Sequence, residues 1–169
     1  MKTMEIVFTA SKKKLPLLSW AIRLWTWKPY SHVARRSKIS FAEKHHYFHA
    51  NEGKVNYEYE THFFKKHKII KKYELTVPQK FYYEMAKQSW VEAGAKYGYL
   101  QHIGIAIVDV AKLLGFKICN PWKQGRNCSE LLYITILKPM FPDLEYDPET
   151  IKPHHIERIL IEKGFKHGE

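Results

Sequence analysis

The feature that most constrains the fold is a change in hydrophobic periodicity at Pro78. Before Pro78, short apolar segments alternate with polar residues, which is typical of strands in an antiparallel sheet. After it, apolar residues recur every three or four positions, which is typical of helices packed on a core. Strands followed by helices predict an α+β domain, and the length suits a single domain over residues 1–169.

The first half is predicted to form five strands around one helix. The strands cover residues 4–10, 30–36, 47–51, 55–60 and 67–77, and the helix covers 17–27. The second half is predicted to contain four helices, over residues 78–95, 103–114, 127–137 and 153–163. The expected architecture is an antiparallel sheet packed against helices.

The chain is strongly basic, with a formal net charge of +11. That charge favours an anionic partner, such as nucleic acid, acidic lipid or a cell-wall polymer, and does not choose among them. The cationic residues are scattered, and each local cluster, including Arg35-Arg36, is interpreted as a solvated face. Because apolar runs are short and the N-terminus resembles a strand more than a signal peptide, we expect a cytoplasmic protein without an integral membrane segment.

The segment around Cys128 carries the clearest chemical signal. Asn127 is a good helix N-cap and Glu130 lies three residues later, which predicts a capping box with Cys128 as the first helical residue. Free N–H groups and the helix dipole at that position stabilise a thiolate and the oxyanion of an acyl-transfer reaction. The alternative is a buried structural cysteine. Cys119 lacks such a helix start, and we expect it in the core.

Two histidines on neighbouring predicted strands are candidate partners for this thiol. If the strands are antiparallel, His32 and His49 face the same groove. His45 has the same parity as His49 and is its rival for orienting His32. A zinc site formed by these three histidines and Cys128 is the competing interpretation, but closely spaced ligand pairs are not evident, so no metal is expected. The remaining histidines are interpreted as surface or supporting residues: His46, His62, His67, His102, His154, His155 and His167.

These segments resemble the circularly permuted papain-like enzymes of the NlpC superfamily, including the YiiX-type proteins and the lecithin–retinol acyltransferase relatives. Ser31-His32-Val33-Ala34 is similar to the histidine strand of that family, and Phe48-His49-Ala50 to the strand with the orienting polar residue. Residues 127–132, which include Cys128, are similar to the cysteine helix. Residues 94–99 resemble a glycine–tyrosine stretch of the superfamily, and residues 142–153 resemble its closing loop and helix.

The resemblance implies a thiol hydrolase or acyltransferase with a permuted papain-like fold. Cys128 would be the nucleophile, His32 its base and His49 the group that orients the base, with Tyr97 near the oxyanion. The resemblance implies no cofactor. It allows peptide bonds of cell-wall peptides as substrates, and equally the amides or esters of acyl-lipids. Proteins of this kind occur in bacteria and their phages.

The sequence also departs from the family. Arg35 and Arg36 stand where members usually continue with apolar residues, and the gap between His32 and His49 is longer than is common. Many permuted members carry Glu at the third position, whereas His49 is similar to the retinol-acyltransferase branch. Two other functions stay open. One is a nucleic-acid-binding module, and the other is a catalytically silent structural protein with a papain-like fold.

Overall fold

The structure of the chain, a computed structural model, describes residues 1–12, 17–38, 44–51, 53–122 and 124–168. Its strands are β1 Lys2–Ser11, β2 His32–Lys38, β3 His45–Asn51, β4 Lys54–Tyr59 and β5 His67–Val77. Its helices are α1 Leu17–Thr26, α2 Glu60–Lys66, α3 Gln79–Glu92, α4 Tyr99–Leu113, α5 Cys128–Leu132, α6 Lys138–Met140 and α7 Pro153–Glu162. A π-helical turn, Tyr133–Leu137, joins α5 to α6. The predicted α+β class is confirmed.

The strands form one antiparallel sheet in the order β4-β3-β2-β1-β5. Strand β1 lies in the interior of the sheet, because β2 pairs with one side of it and β5 returns to pair with the other. The register places Thr9 of β1 opposite His32, and Arg35 of β2 opposite Phe48 of β3. This order brings the starts of β2 and β5 close to the end of β3.

Different helices pack on the two faces of the sheet, α5 on one face and α2 on the other. On the α5 face, Phe8, Val33 and Cys128 belong to the main buried core. On the α2 face, Phe63 stacks on Tyr47 with ring centroids 3.8 Å apart. Because side chains alternate along a strand, consecutive residues of β2 face different layers.

Two features of the fold differ from the prediction. Helix α2 was not predicted, because a single buried side chain, Phe63, gives this short segment no apolar stripe. Arg35 is buried rather than solvated: its guanidinium donates a 2.8 Å hydrogen bond to Ser89 and lies 5.0 Å from the centroid of the Phe48 ring. Strand alternation directs Arg35 to the α5 face, where these partners replace water.

The helices of the second half lie where they were predicted, although the predicted helix 127–137 consists of α5 and the π-helical turn Tyr133–Leu137. Helix α4 begins earlier than expected, at Tyr99, and α3 ends earlier, at Glu92. Within the ranges described above, every helix is too short or too polar to cross a bilayer. The papain-like fold stays an expectation from the motifs.

Candidate active site

The start of helix α5 is built as the sequence predicts. Asn127 Oδ1 accepts hydrogen bonds from the backbone N–H groups of Ser129 at 2.9 Å and Glu130 at 2.8 Å. The Glu130 carboxylate in turn accepts a 3.4 Å hydrogen bond from the N–H of Asn127. The capping box is confirmed, and Cys128 is the first residue of the helix.

The thiol of Cys128 is a buried group. The residue is 1% exposed, and its sulfur lies 4.0 Å from the Ser129 hydroxyl, with the backbone N–H of Val33 as a further hydrogen-bond partner. Burial raises the pKa of the thiol, although these hydrogen bonds favour the thiolate. In the resting structure, desolvation outweighs the stabilisation that the helix N-terminus gives a thiolate.

The second cysteine has the opposite environment. Cys119 is exposed, so the expectation that it lies in the core is wrong. Residues 114–119 all lie on the surface, since the chain that follows α4 runs over the outside of the protein. An apolar stretch on a loop was mistaken for a core segment.

His32 and His49 form the direct contact that their strand positions predict. His32 opens β2, His49 lies on the adjacent β3, and His32 Nε2 is 2.9 Å from His49 Nδ1. The His49 ring also meets Phe63 on the α2 face, with centroids 5.1 Å apart. The rival, His45, instead places its Nδ1 3.2 Å from the guanidinium of Arg36. Of the two candidates, His49 is the one beside His32.

A carboxylate that the sequence interpretation did not single out continues this chain of polar groups. Glu58 Oε2 lies 3.2 Å from His49 Nε2, and Glu58 Oε1 accepts a 2.8 Å hydrogen bond from Lys66. The hydrogen bond with His49 and that from Lys66 hold the pKa of Glu58 at about 2, against the effect of burial. Asn56 of β4 pairs with His49, and Glu58, two residues later, lies on the same face of β4 as Asn56. The alternation of side chains along β4 is therefore the sequence signal that points to Glu58.

A third imidazole joins the pair. His67, interpreted from the sequence as a surface or supporting residue, is buried and stacks on His32 with ring centroids 4.9 Å apart. Ring nitrogens of His32, His49 and His67 lie within 4.8 Å of one another. Burial lowers the pKa of both His32 and His49, so these rings are neutral, the form that binds a metal ion. The three rings could hold a transition metal, whereas the competing zinc set of His32, His45, His49 and Cys128 is not assembled.

The thiol and the imidazoles approach β2 from opposite faces of the sheet. Cys128 packs with Val33 on the α5 face, whereas His32, one residue earlier, packs with His67 on the α2 face. In the described part of the chain, the thiol has hydrogen-bond partners at Val33, Ser129 and its own backbone rather than at an imidazole. The structure thus joins the two predicted histidines and places Cys128 beside the start of the same strand without ring contact.

Tyr97 lies near the approach to α5 and contacts another histidine. Its hydroxyl is 2.8 Å from His102 Nε2, and its backbone forms a β-bridge with Arg126. Gly125 permits this close approach, because its φ is +88° and a Cβ there would lie 2.7 Å from the carbonyl oxygen of Lys96. The role of Tyr97 at an oxyanion stays a prediction.

An apolar cavity of about 240 Å³ lies between α1 and α4 and reaches the start of α5. Ile22 and Trp25 of α1 face Ile105 of α4 across it, and His102 and Ser129 line it as well. Burial lowers the pKa of His102 to about 4, so this ring is neutral near pH 7. The rest of the lining is mainly apolar, and its charged member, Lys152, pairs with Asp109.

No family model and no curated protein matches the chain. The likeness to the permuted papain-like enzymes therefore rests on the motifs and on their order in this sequence.

Proposed function

We propose that the chain is a thiol-dependent hydrolase or acyltransferase in which Cys128 attacks the carbonyl carbon of an amide or ester. The observation that carries the proposal is the 2.9 Å contact between His32 Nε2 and His49 Nδ1. Val33, the residue after His32, donates its backbone N–H to the thiol of Cys128. An imidazole supported by a second polar group is how enzymes orient a general base for a nucleophile. His49 is the positioning residue in this scheme.

The polar contacts determine which nitrogen of each ring carries a proton. Ionised Glu58, 3.2 Å from His49 Nε2, favours a proton on that nitrogen, which leaves His49 Nδ1 as the acceptor for the proton on His32 Nε2. The second nitrogen of His32, Nδ1, then carries a lone pair. That lone pair can take the proton of a thiol, and the relay through His49 to Glu58 stabilises the resulting imidazolium.

The reaction starts from a neutral thiol, because burial raises the pKa of Cys128. His32 Nδ1 removes the thiol proton as the sulfur bonds to the carbonyl carbon, and the backbone N–H of Cys128 stabilises the oxyanion. The Tyr97 hydroxyl is the proposed further donor. Protonated His32 then passes its proton to the leaving group, and water or another nucleophile cleaves the acyl-enzyme.

Proton transfer requires Cys128 and His32 to meet at the start of β2. They lie on opposite faces of that strand at rest, so one side chain must rotate when substrate binds. Because the relay needs the contact between His32 and His49, the movement falls to the thiol at the start of α5. Catalytic hydrogen bonds are commonly long in unliganded enzymes and tighten in the complex with substrate.

The cavity supports an acyl-lipid substrate over a cell-wall peptide. Its walls are mostly aliphatic and aromatic, with Lys152 as the charged member, and Ser129 brings it next to the nucleophile. An acyl chain in this cavity would place the carbonyl at the start of α5, next to the backbone N–H of Cys128. The relevant substrates are then esters or amides of fatty acids.

The test is capture of the acyl-enzyme by mass spectrometry. Incubation with p-nitrophenyl esters should add one acyl group to the peptide that contains Cys128, faster with an octanoyl than with an acetyl ester because the cavity binds the chain. Cys119→Ser, a matched control at the exposed cysteine, should leave the adduct unchanged. An adduct confined to Cys119, or no adduct with any ester, would contradict the proposal.

A metal-dependent hydrolase is the second candidate, because three imidazoles converge at His32, His49 and His67. A Zn²⁺ ion there would use neutral rings, with Glu58 holding His49 as an outer carboxylate. The thiol mechanism predicts that ester cleavage persists in EDTA and that added Zn²⁺ inhibits it by occupying His32. Loss of cleavage in EDTA that Zn²⁺ restores, together with loss in His67→Gln, would favour the metal mechanism instead.

A further inference from the structure

Helix α4 is apolar on its outer side as well as on its inner side. Ile105 and Val108 face the core and are buried. The outer stripe of α4 and its C-cap consists of five side chains spaced by three and four residues, with exposures from 41% to 69%: Leu100, Ile103, Ile107, Val110 and Leu114. A stripe of this size on the surface marks a site of association, because water does not stabilise it.

The tryptophans around α1 extend this surface. Trp25 connects the two helices, since its Nε1 donates a 2.7 Å hydrogen bond to Asp109 of α4. Trp25 also lines a shared groove with Leu113, which is 83% exposed, and Trp27 directly after α1 is 86% exposed. Four further exposed apolar side chains on or next to these two helices are grouped with the outer stripe as the apolar face: Trp20, Leu24, Trp27 and Leu113.

The charges on the same two helices are cationic. Arg23 of α1, Lys112 of α4 and Lys117 after α4 are exposed. The acidic residue between them, Asp109, forms an ion pair with Lys152. Tryptophan and aliphatic side chains bordered by Lys and Arg are the composition of surfaces that lie in the interface of anionic membranes.

We propose that the apolar face docks onto the surface of an anionic lipid bilayer. Its tryptophan and aliphatic side chains enter the boundary between headgroups and acyl chains, and Arg23, Lys112 and Lys117 contact the acidic headgroups. Charge complementarity selects this occupant over a second copy of the chain, because each copy carries a net charge of +11 and like charges repel. The docking itself needs no chemistry at Cys128.

The cavity between α1 and α4 is continuous with the apolar face. Trp25 and Ile103 both line the cavity, and they are 45% and 50% exposed. A lipid acyl chain can therefore pass from the bilayer between the two helices toward Ser129. This delivery of substrate, unlike the docking, rests on the proposed thiol function.

The experiment is sedimentation of the full chain with vesicles of phosphatidylcholine alone or with phosphatidylglycerol added, with tryptophan fluorescence as a second readout. We expect binding to the anionic vesicles, a blue shift of the emission, and weaker binding at high salt. The variant pair Trp27→Asn and Leu113→Gln removes two side chains that lie almost wholly in solvent. Asn also tolerates the φ of 52° at Trp27, so the fold should be kept. The pair is expected to lose roughly a hundredfold in affinity.

Trp90→Gln is the matched control, because Trp90 is 71% exposed on α3, outside the apolar face. Trp90→Gln should bind vesicles within about twofold of the wild type. Cys128→Ala should also bind vesicles as well as the wild type, but it should lose the acyl adduct. Absence of vesicle binding, equal binding to neutral vesicles without a salt effect, or equal loss in Trp90→Gln would overturn the proposal. So would a wild-type dimer that the Trp27 and Leu113 changes dissociate, since the apolar face would then be covered by a second copy.

Discussion

His32→Ala is expected to slow formation of the acyl-enzyme by roughly 10³-fold, because the thiol loses its general base. The effect should be large at pH 7 in particular: burial keeps Cys128 protonated, so the thiolate needs a proton acceptor at the moment of attack. The measurement is the rate of p-nitrophenol release in a single turnover with an octanoyl ester. The rate of His49→Ala should lie between the rates of the wild type and of His32→Ala, because this change removes the residue that orients the base and leaves the base itself.

His45→Ala is the matched control for His32. His45 lies on the same strand as His49, contacts Arg36 and Glu60, and is outside the thiol scheme. It should keep the wild-type rate within about twofold. A His32→Ala variant that releases p-nitrophenol at the wild-type rate would show that Cys128 works without this base, and the proposed mechanism would have to be abandoned.

Glu157→Gln is expected to lower the free energy of unfolding by about 2 kcal/mol at pH 7, a value reduced for partial solvent screening. Glu157 is 3% exposed and joins α7 to the sheet, accepting hydrogen bonds from Tyr30 at 2.5 Å, Lys71 at 2.7 Å and Lys28 at 3.2 Å. Burial alone would raise the pKa of Glu157, but the hydrogen bonds from Lys71, Tyr30 and Lys28 outweigh it and lower the pKa to about 2.

The sign of the pH dependence follows from that shift. The ordinary pKa of the carboxyl is 4.5 and the folded value is about 2, so ionised Glu157 stabilises the fold fully above pH 4.5. This stability is lost as the pH falls from 4.5 toward 2. Urea unfolding at pH 7, 4.5 and 3 should therefore show the difference between wild type and Glu157→Gln shrinking as the solution becomes more acidic.

Glu162→Gln is the control on the same helix. Glu162 pairs with Arg158 at 3.7 Å, and both side chains are 58% exposed, so its removal should cost less than about 0.5 kcal/mol. Equal destabilisation by the two substitutions would show that Glu157 acts as an ordinary surface charge and not as the link between α7 and the sheet.

Much of the fold could be predicted because its signals are local. Strand β5 was predicted over the residues that form it, since Ile69, Tyr73, Leu75 and Val77 lie within one alternating segment. Helix α2 escaped prediction because its position depends on one contact across the sheet, that of Phe63 with Tyr47. Arg35 was misassigned for the same kind of reason: Ser89, its partner, is distant in sequence and comes from another layer.

In the candidate site, too, the features that depend on local sequence were predicted and those that depend on long-range contacts were missed. The capping box around Cys128 spans four residues, and the face of β3 on which His49 lies follows from the alternation of side chains along that strand. Both could therefore be predicted from the sequence. Glu58 and His67 were missed. Alternation gives the face of β4 on which Glu58 lies, but only the pairing of β3 with β4 and of β1 with β5 brings Glu58 to His49 and His67 to His32. The burial of Cys128 and the exposure of Cys119 also depend on which layers cover them.

The order of strands and helices, the start of α5 at Cys128 and the meeting of His32 with His49 follow from local patterns in the chain. These patterns are the alternation of side chains along a strand and the hydrogen bonds within one helical turn. The addition of His67 and Glu58 to the pair, and the placement of the thiol and the imidazoles in different layers, depend on long-range contacts. Strand register and burial arise from contacts between distant residues, and no short segment encodes them.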